Sequence, residues 1–392
     1  MKKLKDGWEN IHLKDILSDD IRNGYSPLPA ENETGYWVLG LGALTDNGLN
    51  KDEIKPVHFE ERVEKSLLKF GDFLVSRSNT PDKVGRSILF KNEIINCSYP
   101  DLMMRFRINE TLAYPYFIEQ YLKTKSIRAY FSNSASGSSK SMVKINKSIL
   151  EKTPLLLPPL EEQIQIAEML STWDNAIQTT EKLILNSEKQ KQALMQVLLN
   201  GKKRLSGFAG EWKKVKLGTL IQEIKKAKVQ NPKQLELLTV KLHYKGTIPT
   251  GKKPNATEKG RTYYKRLEGE LIVGRQNLHN GGIAIVDEKC DGLIASNAIS
   301  SFSALEFTDI VFVLNIMSTP YFRNYVDSLT GGTGQKEISV KEILNIPVLV
   351  PELLEQQKIA EILSTADQEI ETLQRKLECL KLEKGALMQK LL

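Results

Sequence analysis

Forty-two residues of this chain are written twice. Residues 158–199 (PPLEEQIQIAEMLSTWDNAIQTTEKLILNSEKQKQALMQVLL) return without a gap as residues 351–392 (PELLEQQKIAEILSTADQEIETLQRKLECLKLEKGALMQKLL), and 20 of the 42 positions are identical. Ala167 recurs as Ala360, Asp174 as Asp367 and Met195 as Met388, a constant offset of 193. A repeat this regular constrains the fold more than composition does, because the chain must be built from two like halves.

Each copy reads as a long helix. Pro158-Pro159 suits a first turn, and Glu161 and Glu162 suit the positive end of the helix dipole. Leu170, Ile177, Ile184, Lys191 and Leu198 are spaced by seven, with Trp173, Thr180, Ser187 and Leu194 three residues after the first four. The second copy places Leu363, Ile370, Leu377, Lys384 and Leu391, then Ala366, Leu373, Leu380 and Leu387, at the same positions. That is a heptad seam, richer in leucine in the second copy. Expected packing residues are Leu170, Ile177, Ile184, Leu194, Leu363, Ile370, Leu373, Leu377, Leu380 and Leu387. Lys191 and Lys384 share one seam position, as a register-setting polar layer or as snorkelling edge residues. At 1.5 Å per residue such a helix is roughly 60 Å long. It must find a partner chain or pack on its own repeat.

The intervening stretches have strand and turn signals. Tyr36 to Leu41, Phe73 to Val75 and Ser87 to Phe90 are short apolar runs bounded by Gly, Pro and Asn. Tyr114 to Tyr130 has helical spacing and is expected as one helix, while the polar run Ser132 to Ser141 is expected as a loop. Weaker echoes link the stretches: Trp8, Ile11 and Leu13 match Trp212, Val215 and Leu217, and Gly71 to Arg77 (GDFLVSR) matches Gly269 to Arg275 (GELIVGR). The organisation expected is a globular domain over 1–155, a spacer helix over 156–200, a second domain over 201–349 and a second helix over 350–392.

Charge separates along the same lines. Residues 201–349 hold 23 basic against 14 acidic residues and residues 1–157 hold 23 against 20, whereas both helical copies are net acidic. If nucleic acid is bound, the globular stretches hold it. No apolar run approaches 18 residues and the start of the chain is charged, so a cytoplasmic protein is expected. Cys97, Cys290 and Cys379 are far apart and the four histidines are scattered, which suggests neither a disulfide framework nor a zinc site.

Catalytic signals fail one by one. Gly246 to Lys253 (GTIPTGKK) approaches a phosphate-binding loop, but Lys253 replaces the magnesium-holding hydroxyl and Pro249 and Pro254 break the expected strand, loop and helix. Gly40-Leu41-Gly42 is a turn signal. Pro158-Pro159 lacks the preceding Asn or Asp of an amino-methyltransferase, and the Pro-Asp pairs at 81–82 and 100–101 lack a following nuclease core.

The whole layout resembles the specificity subunit of type I restriction-modification systems. The motif LxPPLxEQxxIAExLSxxD opens the first helix and ALMQxLL closes it, with Glu162-Gln163, Ile166-Ala167-Glu168, Leu170-Ser171 and Asp174 repeated at Glu355-Gln356, Ile359-Ala360-Glu361, Leu363-Ser364 and Asp367. The resemblance implies an α+β chain: two mixed α/β target-recognition domains, separated by two long antiparallel coiled-coil helices with a pseudo-two-fold internal repeat. It implies a non-catalytic subunit whose domains each read one half of a bipartite double-stranded DNA site. The helices set the spacer and dock two methyltransferase subunits, which join restriction subunits. No cofactor is expected on this chain; S-adenosylmethionine, ATP and Mg belong to the partner subunits, and no membrane is involved. The competing expectation is a non-catalytic adaptor whose domains bind protein.

Candidate DNA contacts follow from residue type, Lys and Arg for phosphates and Arg, Asn, Gln and Ser for base edges. In the first domain they are Arg77, Ser78, Asn79, Lys83 and Arg86 after the Gly-Asp strand, with Ser138, Ser139 and Lys140 in the polar run. In the second they are Arg275, Gln276, Asn277, His279 and Asn280, with Gln335 and Lys336, and a basic stretch with interleaved aromatics at Lys252, Lys253, Asn255, Arg261, Tyr263 and Tyr264. Each also fits a solvated or fold-stabilising role. Arg77 and Arg275, placed alike in both halves, fit a shared structural one equally well.

Overall fold

The computed structural model describes residues 7–139, 142–254, 261–329 and 337–392. The chain divides into two compact units, residues 1–180 with 376–392, and residues 181–375. Each unit therefore takes one globular stretch together with part of each long helix.

In unit 1 the globular elements are β1 (Glu9–His12), β2 (Arg22–Asn23), β3 (Phe73–Ser76), β4 (Ser87–Leu89), β5 (Met103–Phe106), α1 (Pro115–Leu122), α2 (Lys125–Ser134) and β6 (Pro154–Leu157), followed by the long helix α3 (Leu160–Leu198). β1 pairs antiparallel with β6, Glu9 opposite Leu157, so the two ends of the stretch meet where the helix starts. The main sheet runs β2-β5-β3-β4, all antiparallel. Phe73 and Phe106 stack at 4.8 Å in a core that continues through Phe117, Ile118 and Phe131. The Tyr114 to Tyr130 stretch is two helices rather than one. The first ends at Lys123, and Thr124 caps the second by accepting the Ile127 N–H at 3.5 Å. The polar run expected as a loop completes α2 and then forms the strand Ser136–Ser139.

Unit 2 repeats the plan with β7 (Lys213–Lys216), β8 (Ile221–Glu223), β9 (Leu271–Gly274), β10 (Ile283–Ile285), β11 (Ile299–Ala304), α4 (Ile310–Met317), α5 (Pro320–Leu329), β12 (Pro347–Val350) and the long helix α6 (Leu353–Leu391). β7 pairs antiparallel with β12, Lys213 opposite Val350. The sheet runs β8-β11-β9-β10, the same order as in unit 1. The glycine-rich Gly246 to Lys253 stretch contains the strand Thr247–Pro249, paired with Leu238–Val240.

Both long helices have 39 residues and start after the prolines. Their exposure follows the seam. Ile177, Thr180 and Leu198 are buried, Ile184, Ser187, Lys191 and Leu194 half-buried, and Leu373, Leu377, Leu380, Lys384, Leu387 and Leu391 half-buried. Within unit 1, Leu387, Met388 and Leu391 pack on the cluster holding Ile166, Ala167 and Leu170, and Lys384 Nζ meets Asp174 Oδ1 at 2.6 Å. Within unit 2, Leu194, Met195 and Leu198 pack with Ile359, Ala360 and Leu363, and Lys191 pairs with Asp367. In each unit the contacting segments run in opposite directions.

The repeated Glu-Gln pair attaches each helix to its globular stretch. Buried Gln163 accepts the Tyr114 N–H at 2.8 Å and donates to the carbonyls of Pro158 and Leu112 at 2.8 and 3.4 Å. Gln356 accepts the Asp309 N–H at 3.1 Å and donates to Pro351 and Phe307 at 3.0 and 3.3 Å. The two amides satisfy the same backbone groups in the same places. The neighbouring carboxylates differ: Glu162 accepts the Trp8 indole N–H at 3.1 Å, while Glu355 accepts the Arg204 guanidinium Nε–H at 2.9 Å.

Candidate nucleic-acid interface

A buried acid stands at the base of each candidate reading strand. Asp72, fully buried, meets Arg105 Nη1 at 3.1 Å and Arg107 Nε at 2.6 Å, and it accepts the Lys69 N–H at 2.7 Å. The hydrogen bond from Arg107 to Asp72 raises the Arg107 pKa. In unit 2 the matching acid, Glu270, pairs with Lys226 and accepts the Ser301 hydroxyl at 2.9 Å. Buried Arg266 lies in the same network, donating to Ser301 Oγ at 2.8 Å, and burial lowers its pKa to about 10 against the opposing pull of Glu270. Neither acid was singled out from sequence as a site residue. The Gly-Asp and Gly-Glu echo at 71–72 and 269–270 was the available signal.

Five residues beyond each acid stands an arginine with the same backbone bonds. Arg77 N–H donates to Leu102 and its carbonyl accepts Ile145 N–H at 2.9 Å; Arg275 N–H donates to Ala298 at 3.1 Å and its carbonyl accepts Ile338 N–H at 3.3 Å. Arg77 Nη1 reaches the Asp101 carbonyl at 3.5 Å, and Arg275 Nη2 reaches the Asn297 carbonyl at 3.1 Å and Glu337 at 2.8 Å. Both guanidinium groups brace neighbouring turns.

In unit 1 the two candidate stretches come together. Ser78–Asn79 pairs with Met142–Lys144, Asn79 opposite Val143, and Met142–Lys144 pairs in turn with Ser136–Ser139. Ser78 and Asn79 are buried, and the Asn79 amide bonds Ser76 Oγ at 3.3 Å and the Thr80 N–H at 2.9 Å. Lys83 is exposed on the turn that follows, and Arg86 is half-buried against Asp46 at 3.1 Å. Gly85 closes this turn at φ +73°, where a Cβ would come within 2.4 Å of the Phe131 ring, so only glycine fits. Ser138 and Ser139 are placed by backbone in their strand, and Lys140 lies outside the described residues.

In unit 2, Gln276 and His279 are half-buried and Asn277 and Asn280 exposed around a short 3-10 turn closed by Gly281. His243 and Tyr244, both at positive φ, donate their N–H groups to the Asn280 and Gly281 carbonyls at 2.8 and 2.9 Å, fixing that turn from outside. A polar hollow of about 310 Å³ opens beside it, among Arg261, Arg275, Gln276, Asn297 and Glu337. Lys252, Lys253 and Arg261 are exposed, Tyr263 is buried opposite Ser296, and Tyr264 is half-buried under Arg266. Asn255, Gln335 and Lys336 lie outside the described residues. Among the described residues no helix is long and apolar enough to cross a membrane, and no three His, Cys, Asp or Glu side chains gather as a metal site.

The sequence model of the type I restriction modification DNA specificity domain matches twice, at residues 5–187 and 209–382. The type I restriction enzyme MjaVIII specificity subunit of Methanocaldococcus jannaschii is 25% identical across the whole chain and 93% of its own length. The same organism's MjaX protein, 27% identical over the whole chain and 94% of its own length, carries that description provisionally. The EcoKI specificity subunit of Escherichia coli is 27% identical over half of this chain and 45% of its own length. In fold, the S subunit of a type I restriction-modification system from M. genitalium superposes with a TM-score of 0.63 at 14% identity, covering 100% of this chain and 97% of that one.

Proposed function

The chain belongs to the type I restriction modification DNA specificity family, and from that premise we propose that its two units read the two halves of one bipartite, asymmetric DNA site. It is a specificity subunit of such a system. The observation that carries the half-site reading is the contrast between what repeats and what does not. Sheet order, the arginine after the central strand and the glutamine attachment recur in both units, while the turns beyond the arginines differ in length, sequence and bonding. A constant frame with unlike tips suits two readers of different sequences on a pseudo-two-fold duplex.

The long helices then form the antiparallel coiled-coil spacer. At 1.5 Å per residue each is roughly 58 Å long, enough to separate half-sites about 34 Å apart, one helical turn of DNA. Their acidic exposed faces are the docking surface for two methyltransferase subunits, through which restriction subunits join. The chain acts without a cofactor of its own; S-adenosylmethionine, ATP and Mg act on the partner subunits.

Within each reader, phosphate contacts fall to exposed Lys83, Lys252, Lys253 and Arg261, and base contacts to Gln276, Asn277, His279 and Asn280 with Ser138, Ser139 and Lys140. Gln335, Lys336 and Asn255 are further contacts proposed by residue type alone. Arg77, Arg86, Arg275, Ser78, Asn79, Tyr263 and Tyr264 set the position of those tips from beneath. Exchanging residues 1–155 for the same domain of another such subunit tests the reading by methylation mapping. One half-site is expected to change and the other to stay; a change in both halves overturns modular reading.

A further inference from the structure

The pair Lys191–Asp367 in unit 2 and the pair Lys384–Asp174 in unit 1 are the same bond made twice. Lys384 is the repeat equivalent of Lys191, and Asp367 that of Asp174. Each lysine stands at a seam position otherwise held by Leu or Ile, and each reaches an acid of the opposite copy. The lysine side chains are 22% and 14% exposed, low for a residue that elsewhere keeps to solvent. In unit 1 the acid is doubly held, because Gln120 Nε2 of α1 also donates to Asp174 at 2.8 Å. The recognition stretch and both helices meet at that one carboxylate.

We propose that these two reciprocal bridges fix the register of the helix pair, and thereby determine the spacer length. The assignment rests on the half-site reading above for its consequence, but not for its geometry. Apolar seam residues are tolerant of sliding by seven, since each heptad offers another apolar layer. The bridges are not. Slid one way by seven, Lys191 and Lys384 fall beside Ala360 and Ala167, and Asp367 and Asp174 beside Ile184 and Leu377. Slid the other way, Lys384 meets Glu181, but Lys191 faces Gln374 and the two aspartates face Leu198 and Leu391. Either slide leaves charges beside apolar seam residues, which a polar seam position penalises strongly enough to select register. A slide of seven residues moves the helices by about 10 Å, about three base pairs at 3.4 Å each.

The test uses the full chain assembled with its methyltransferase subunits, in a Cys379→Ser background. Ser187 Oγ meets Glu369 in the native register at 3.1 Å, so Ser187→Cys with Glu369→Cys reports that register by disulfide formation. Ser187→Cys with Lys376→Cys reports one slide by seven, and Ser187→Cys with Ile362→Cys the other. Replacing both seam lysines, Lys191→Leu with Lys384→Leu, should lower the native-to-slid cross-link ratio at least about tenfold and add DNA sites with altered spacer length. The swaps Lys191→Asp with Asp367→Lys, and Lys384→Asp with Asp174→Lys, should restore the native ratio, which simple loss of packing would not. An unchanged cross-link ratio in the leucine variant overturns the register assignment. A shifted ratio with unchanged spacer leaves the register assignment standing and overturns the ruler role of the helices.

Discussion

Replacing the helix-anchoring glutamines by leucine removes matched bonds from the two units and offers an internal control. Leucine fills a similar volume, so the cost is that of polar groups left unpaired. In Gln163→Leu the Tyr114 N–H and the Pro158 carbonyl lose a buried partner; in Gln356→Leu the Asp309 N–H and the Pro351 carbonyl do. The third acceptor in each set belongs to an exposed residue, Leu112 at 47% and Phe307 at 69%, and water replaces the amide there. Two unsatisfied groups at about 1–3 kcal/mol each give a loss of about 2–6 kcal/mol. For units of this size that is a fall of about 4–24 °C in melting temperature. Gln163→Leu should be the more costly. Tyr114 caps α1 without a side-chain bond, so Gln163 is its main polar tie, whereas Asp309 caps α4 through its own carboxylate at 2.8 Å from Phe312 N. Calorimetry and urea unfolding of the two variants measure both values. A loss below about 1 kcal/mol in both would refute the attachment role, and a larger loss for Gln356→Leu would refute the cap argument.

Three further outcomes can be checked. Asp72→Asn should cost about 2–4 kcal/mol in urea unfolding, at the low side of a broken buried pair because Arg105 retains Asp19 at 3.2 Å and Arg107 is 33% exposed; a loss under 1 kcal/mol would show the network to be dispensable. Burial works against ionisation of Glu119, but Lys123 and Lys91 outweigh it and hold its pKa below the ordinary 4.5. Its stabilising contribution is thus present above pH 4.5 and lost as pH falls through the lowered folded value. Glu119→Gln should flatten that acid limb and leave the slope above it unchanged, and an unaltered acid limb would discount the pair. Lys252→Ala with Lys253→Ala should reduce the slope of log Kobs against log salt for DNA binding by the assembled complex by about 1.8, if each lysine meets one phosphate. An unchanged slope would remove both from the interface.

What was legible in the sequence was local and periodic. Helix start, seam and repeat offset depend on spacing within forty residues, and Leu373, Leu377, Leu380 and Leu387 are half-buried on α6. The strands at 73–75 and 87–90 were bounded by their own turn residues and stand as expected. Long-range pairing was not legible. Gln163 and Gln356 stood out as repeated letters, but their partners lie 49 and 47 residues away, and nothing local predicts them. Ser78 and Asn79 look like surface readers because polar residues after a strand usually face solvent. Here they enter a strand pairing with Val143 and Lys144, and their side chains are covered. The helix break at Lys123 was hidden for another reason: apolar spacing continues across it, and only the Thr124 cap marks it.

The near-constancy of the helices has a physical cause that goes beyond packing one against the other. Asp174 answers at once to a lysine of the opposite copy and to Gln120 of a variable domain, and Gln163 and Gln356 satisfy backbone groups on both sides of a domain boundary. A residue bound on two sides has little freedom to change. The domains keep more freedom because what the helix asks of them is mostly backbone. Tyr114 and Asp309 share no side-chain chemistry, yet each offers an N–H at the same place. Where the helix does ask for a side chain, the domains have diverged. Glu162 takes an indole N–H from Trp8, while Glu355 takes a guanidinium from Arg204, and the buried Trp212 indole N–H has no hydrogen-bond partner among the described residues. Trp212→Phe should therefore be nearly neutral in urea unfolding, within about 0.5 kcal/mol, because its polar edge contributes no bond. Trp8→Phe should cost about 1–3 kcal/mol, since it leaves the Glu162 carboxylate without that donor. Equal losses at the two positions would mean that the indoles serve both halves alike, and the divergence at this contact would lose its explanation.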